Sequence, residues 1–88
     1  MLRIARIERP GTGCILRLEG RVIGPWVEEL RRSCEEALAS STPVALDLSG
    51  VSFVDRPGIP LLLYLRDRGV ALVNCSGFVS ALLKGQAP

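Results

Sequence analysis

With 88 residues, 48% of them hydrophobic, and a net charge of +2 from 11 basic and 9 acidic side chains, the chain has the size of a single domain, 1–88, and the composition of a folded protein rather than a disordered one. The basic residues are scattered arginines with only Lys84 beside them, so no patch of the kind a nucleic-acid binder carries is expected. The longest apolar run, Ile59 to Leu65, is far short of the ~20 residues that span a bilayer, and the N-terminus alternates arginine with apolar residues where a signal peptide would have an unbroken apolar core; a cytoplasmic protein with no membrane span is expected.

Leu2 to Glu8 reads as a first strand, followed by the turn-rich Arg9-Pro10-Gly11-Thr12-Gly13. So short a link implies an antiparallel partner. That partner is Cys14 to Glu19, with Cys14, Leu16 and Leu18 on one face and Ile15, Arg17 and Glu19 on the other. Gly20 to Pro25 is expected to end this strand and open a helix, with Pro25 near its first position and Glu28 and Glu29 in its first turn, where the helix dipole favours negative charge. From Trp26 to about Ala39 the apolar residues Trp26, Val27, Leu30, Cys34, Ala37 and Leu38 make one stripe, and Glu28/Arg32 and Arg32/Glu36 are spaced as ion pairs on the solvated side.

After a loop at Ser40-Ser41-Thr42-Pro43, the alternation of Val44, Leu46 and Leu48 with Ala45, Asp47 and Ser49 marks a central strand. Ser49-Gly50 is expected to break it. Phe53 and Val54 then anchor a built loop to the core, Asp55 is placed to cap a helix, and Arg56 and Pro57 occupy the two positions after the cap. Ile59 to Arg68 reads as a short apolar helix stopped at Gly69. Val70 to Asn74 is a fourth strand, and Ser76 is placed to cap a last helix whose buried side is Phe78, Val79, Leu82 and Leu83, before a frayed end at Gly85 to Pro88.

The order ββαβαβα predicts an α/β fold with a mixed four-stranded sheet: an antiparallel N-terminal strand, then parallel strands side by side in chain order, with all three helices on one face. The alternation within the strands agrees, because a sheet covered on both faces would show continuous apolar runs.

This arrangement, together with Leu18-Glu19-Gly20, the run from Asp47 to Asp55, and Gly58-Ile59, resembles the STAS domain of bacterial anti-sigma-factor antagonists and sulphate-transporter tails over nearly the whole chain. The resemblance implies a regulatory module for transcription that binds an anti-sigma factor, itself a serine kinase, and is switched when that kinase phosphorylates the first hydroxyl after the aspartate. Here Arg56 and Pro57 stand where two hydroxyl residues would be, and arginine carries the opposite charge to a phosphate. A non-phosphorylatable variant without the switch is therefore expected. The family also continues with another strand and helix beyond the segment matching Ser76 to Lys84, which leaves the fourth strand as an edge open to the tail or to a second copy as a homodimer.

In open sheets of this kind the binding crevice lies at the carboxyl ends of the parallel strands, here Gly20 to Pro25, Ser49 to Gly58 and Cys75 to Gly77. Gly24, Trp26, Ser52, Asp55, Arg56, Pro57 and Gly58 are the candidate partner-binding residues, with Trp26 either an anchor or part of the helix stripe, Asp55 either a contact or only a cap, and Arg56 either docked or solvated. Catalysis gains little support: Asp47 and Asp55 are the carboxylates at hand, and no His, phosphate loop or nucleophile with an adjacent base accompanies them. Cys14, Cys34 and Cys75 lack metal-ligand spacing and read as buried free thiols, so neither a metal nor a cofactor is expected. A self-associating assembly domain, and a module holding a small anion or nucleotide at the helix start beside Arg56, remain as alternatives.

Overall fold

The computed structural model describes residues 2–9, 11, 13–40 and 43–84. Their order is β1 (Leu2–Arg9), β2 (Gly13–Val22), α1 (Pro25–Ala39), β3 (Val44–Val54), α2 (Gly58–Asp67), β4 (Ala71–Val73) and α3 (Gly77–Lys84). The sheet runs β1-β2-β3-β4 in space, with β1 antiparallel to β2 and the other neighbours parallel. This is the expected α/β topology. The helices form one layer, α1 touching α2 and α2 touching α3, above a face built from Leu16, Leu18, Leu46 and Leu48, all fully buried. On the other face Arg17, Glu19, Ser49, Ala71 and Val73 are exposed, so the period-two pattern separates a dry side from a wet one.

Each helix begins and ends for a local reason. Pro25 fits the first turn of α1, and Leu30, Cys34 and Ala37 form its buried stripe. Its ion pairs differ from the expected spacing: Glu28 pairs with Arg31 and Glu29 with Arg32, both three residues apart. Arg31 offers Nε and Nη2 to the two oxygens of Glu28, and such a forked contact outweighs a single bond to a residue four away. Glu36 is left without an ion pair among the described residues. Helix α2 stops in a Schellman pattern, the N–H of Gly69 donating to the Arg66 carbonyl and that of Val70 to the Leu65 carbonyl, both at 3.0 Å. Ser76 caps α3 by accepting the Val79 N–H at 3.2 Å. Val79 and Leu83 lie in the core and Leu82 packs against it; the side chain of Phe78, residues 10, 12, 41 and 42 in the expected loops, and the expected frayed end at 85–88 lie outside the described residues.

Two expected strand ends are corrected. β2 continues through Gly20 to Val22, and β3 continues through Ser49-Gly50 to Val54. Between Arg17↔Asp47 and Val22↔Val54 the register slips twice, so β3 spends two more residues than β2 over the same length. These are bulges, uncommon between parallel strands, and each flips the side-chain phase of the strand that carries it. The buried positions of β3 therefore run Val44, Leu46, Leu48, Val51, Val54, a spacing that no longer looks like a strand in the sequence.

The three cysteines are free, Cys14 and Cys34 buried and Cys75 half-buried. Burial, with Glu35 beside it, pushes the Cys34 thiol up to about 12, which makes it an inert packing group at neutral pH.

Candidate functional site

The bulged ends of β2 and β3 build a ledge at the carboxyl ends of the parallel strands. Gly50 lets the two backbones approach: a Cβ there would lie 2.7 Å from the Leu18 carbonyl oxygen. Ser52, the extra residue of the second slip, turns outward and donates its hydroxyl to the Gly20 carbonyl at 3.2 Å. Val54 is buried, as expected, but Phe53 is 42% exposed and stands in register with Arg21. The expectation that Phe53 anchors this segment inward is corrected by the bulge, which places Ser52 and Phe53 consecutively outside the core.

Asp55 ties the ledge together. Its N–H donates to the Val22 carbonyl at 3.0 Å. One carboxylate oxygen accepts the Gly58 N–H at 3.1 Å, and the other accepts the Gly24 N–H at 2.9 Å. Gly24 immediately precedes α1 and has φ 53°, ψ −129°, a combination that glycine tolerates and side-chain residues do not. α1 has no side-chain cap of its own. A single carboxylate therefore sits at the N-termini of both α1 and α2, where the unpaired N–H groups and the helix dipoles favour negative charge. The expected capping role of Asp55 holds and is larger than a local cap, because it joins loops 31 residues apart.

Arg56 and Pro57 form the turn between Asp55 and α2, closed by the Gly58 N–H on the Asp55 carbonyl at 3.0 Å. Both are exposed, and Arg56 has no ion pair among the described residues. Gly58 is buried, its Cα packed so closely that a Cβ would meet Val54 at 2.7 Å and Val22 at 3.2 Å. The structure thus brings Gly24, Ser52, Asp55, Arg56, Pro57 and Gly58 to one end of the sheet. Trp26 goes elsewhere: it is half-buried, packs on the core and lines a groove with Leu2, Ile4 and Leu16 of the first two strands.

Asp47 and Asp55 do not act as a pair. Asp47 is only 7% exposed, on the helix-free face, accepting the Ser49 N–H at 3.0 Å with Arg17 Nε at 3.5 Å. The Ser49 amide and hydroxyl, then the Asn74 side chain and the Arg17 charge, hold its carboxyl below the usual carboxylate range against the opposing effect of burial. A folded-state pKa below the unfolded one stabilises the protein above the unfolded value, and that stability is lost as pH falls through the folded value. Acidification from about pH 6 to about pH 3 is expected to destabilise the wild-type protein more than Asp47→Asn, as read by urea midpoints; parallel profiles would remove this role. Among the described residues no group of three or more His, Cys, Asp or Glu is placed to hold a metal ion, and no helix is long and apolar enough to cross a membrane.

The family model for the STAS domain matches residues 3–84. No curated protein matches the chain in sequence. Among solved structures, the anti-sigma factor antagonist SpoIIAA in its unphosphorylated form superposes with a TM-score of 0.72 at 21% identity, over 93% of this chain and 82% of SpoIIAA. An antisigma-factor antagonist STAS domain from Rhodobacter sphaeroides gives 0.62 at 24% identity, over 84% of this chain and 87% of that one. At these identities the likeness is one of fold.

Proposed function

Because the chain belongs to the STAS domain family, we propose that it is a non-catalytic protein-interaction module, one domain over 1–88, that docks a regulatory protein of the anti-sigma-factor or serine-kinase type through the ledge of Gly24, Ser52, Asp55, Arg56, Pro57 and Gly58 and is not switched by phosphorylation. The observation that carries this reading is the Asp55 carboxylate bonded to Gly24 and Gly58: it fixes the turn on which Arg56 is exposed, and the two residues after it have no hydroxyl to phosphorylate. Phe53, exposed beside Ser52, adds an aromatic contact of the kind that dominates interface energetics. The cytoplasmic setting follows from such a partner.

Replacing Arg56 by Glu is expected to weaken binding to the cognate anti-sigma factor by about tenfold or more with the far-ultraviolet circular dichroism unchanged. Wild-type affinity in that variant would remove Arg56 from the interface.

A second reading rests on β4. It pairs only with β3 among the described strands, and Ala71 and Val73 on it are exposed, so its outer edge offers unpaired backbone groups to a second copy. Sedimentation showing a monomer at high concentration would exclude this dimer.

A further inference from the structure

The three helices do not cover the whole sheet. α1 packs mainly on β2 and β3, and β1, the strand at the sheet's end, is only partly covered, with Ile4 half-buried. The result is a groove of about 360 Å³ on the helix side of β1. Leu2, Ile4, Arg6 and Leu16 of the first two strands line it together with Trp26, Glu29, Ser33 and Glu36 of α1. Ile4 and Trp26 are partly buried apolar groups packed against the core yet still open on this side.

We propose that this groove receives an amphipathic helix from a partner protein, with apolar side chains on Ile4 and Trp26 and basic side chains on Glu29 and Glu36. The shape selects a helix. The vacancy lies in the helix layer, flanked by a 15-residue helix and lined by residues of the first two strands, so an occupant that continues the layer packs against α1 as α2 already does on the other side. Ser33 is small and lies between the two glutamates, which allows close helix approach there.

The charges select a basic occupant. Glu29 and Glu36 are two helical turns apart, about 10.5 Å along α1. Arg6 also lines the groove and is paired with Glu8 at 3.1 Å, as Glu29 is paired with Arg32, so the carboxylate of Glu36 is the groove charge left without an ion pair among the described residues. The occupant's cations would therefore recur seven residues apart on the side facing α1, flanking a stripe of apolar residues at i, i+3 or i+4, and i+7. This surface is separate from the Asp55 ledge and does not depend on what that ledge binds.

Trp26 is the only tryptophan in the chain, so its emission reports the groove directly. The probe is a synthetic helical peptide of leucines and lysines without tryptophan, titrated into the full chain beside a twin in which every lysine is glutamate. The expected result is a saturable blue shift of Trp26 emission with the basic peptide and none with the acidic one. The chain's own charge of +2 works against that preference, so nonspecific attraction would give the reverse. Glu36→Lys, an exposed change that leaves the fold intact by circular dichroism, should weaken the basic peptide roughly tenfold, and Arg56→Glu should leave it unchanged. No shift, equal response to both peptides, or indifference to Glu36→Lys would overturn the proposal. So would a Trp26 shift that grows with protein concentration alone and disappears in Glu36→Lys, because it would assign the groove to a second copy.

Discussion

Asp55→Ala is expected to destabilise the fold by about 2–3 kcal/mol and lower the thermal midpoint by roughly 10–20 °C. The carboxylate is the side-chain acceptor for the Gly24 and Gly58 N–H groups. It is the side-chain cap of the turn that starts α2, and no side chain on α1 itself caps that helix. Removing a cap costs about 1 kcal/mol; the long-range bond to Gly24 adds a second charge-assisted contact of similar or greater worth. Asp55→Asn keeps one acceptor oxygen and should recover about half of the loss. A change within about 0.5 kcal/mol for the alanine variant would show that the two loops are held by other contacts.

A comparable loss, about 2–4 kcal/mol, is expected from Gly50→Ala. The added Cβ would lie 2.7 Å from the Leu18 carbonyl oxygen and 3.3 Å from the Glu19 Cα. These are backbone atoms of the neighbouring strand, so relief requires β2 and β3 to part within the sheet. Gly77→Ala is the matched control: nothing lies within 4 Å of its Cβ position, and in the first turn of α3 alanine is expected to be neutral or to stabilise by up to about 1 kcal/mol. Denaturant unfolding of both variants separates a steric cost from a general effect of replacing glycine. Equal midpoints would contradict the close approach described here.

Where local periodicity was undisturbed, the sequence was a sufficient guide. Alternation in Cys14 to Glu19 and Val44 to Ser49 identified the covered face of the sheet, Pro25 and Ser76 marked helix starts, and Gly69 marked a helix stop. The extended ends of β2 and β3 were hidden because a bulge breaks the period-two signal: Leu48, Val51 and Val54 are three residues apart, and that spacing belongs to no strand template. The same slip reverses Phe53, an apolar residue whose type points inward and whose register points outward.

The candidate site was legible in part. Asp55 could be placed as a cap from its position before Arg56-Pro57, but its bond to Gly24 joins residues far apart in the chain, and no local pattern encodes it. Trp26 was legible as a member of the α1 stripe. Its groove was not, because that depends on where α1 lies across the sheet. Asp47 illustrates the converse. An acidic residue in an alternating strand reads as solvent-facing, and it does sit on the helix-free face, yet Arg17 beside it in register and the Ser49 amide enclose it.

On the proposed reading the ledge is a fixed surface. In a switched module a phosphate added beside the aspartate would alter charge and hydrogen bonding at the helix start; here that position holds a cation and a rigid ring. The remaining hydroxyls nearby are already engaged or built into the strand, Ser52 donating to the Gly20 carbonyl and Ser49 lying next to Asp47.

The most direct measurement is intact-protein mass after incubation with the cognate anti-sigma kinase and Mg-ATP, followed by the affinity of the treated protein for that kinase. The predicted result is an unchanged mass and unchanged affinity. A phosphoryl adduct on Ser49 or Ser52 that abolishes binding would contradict it and restore a switch to this surface.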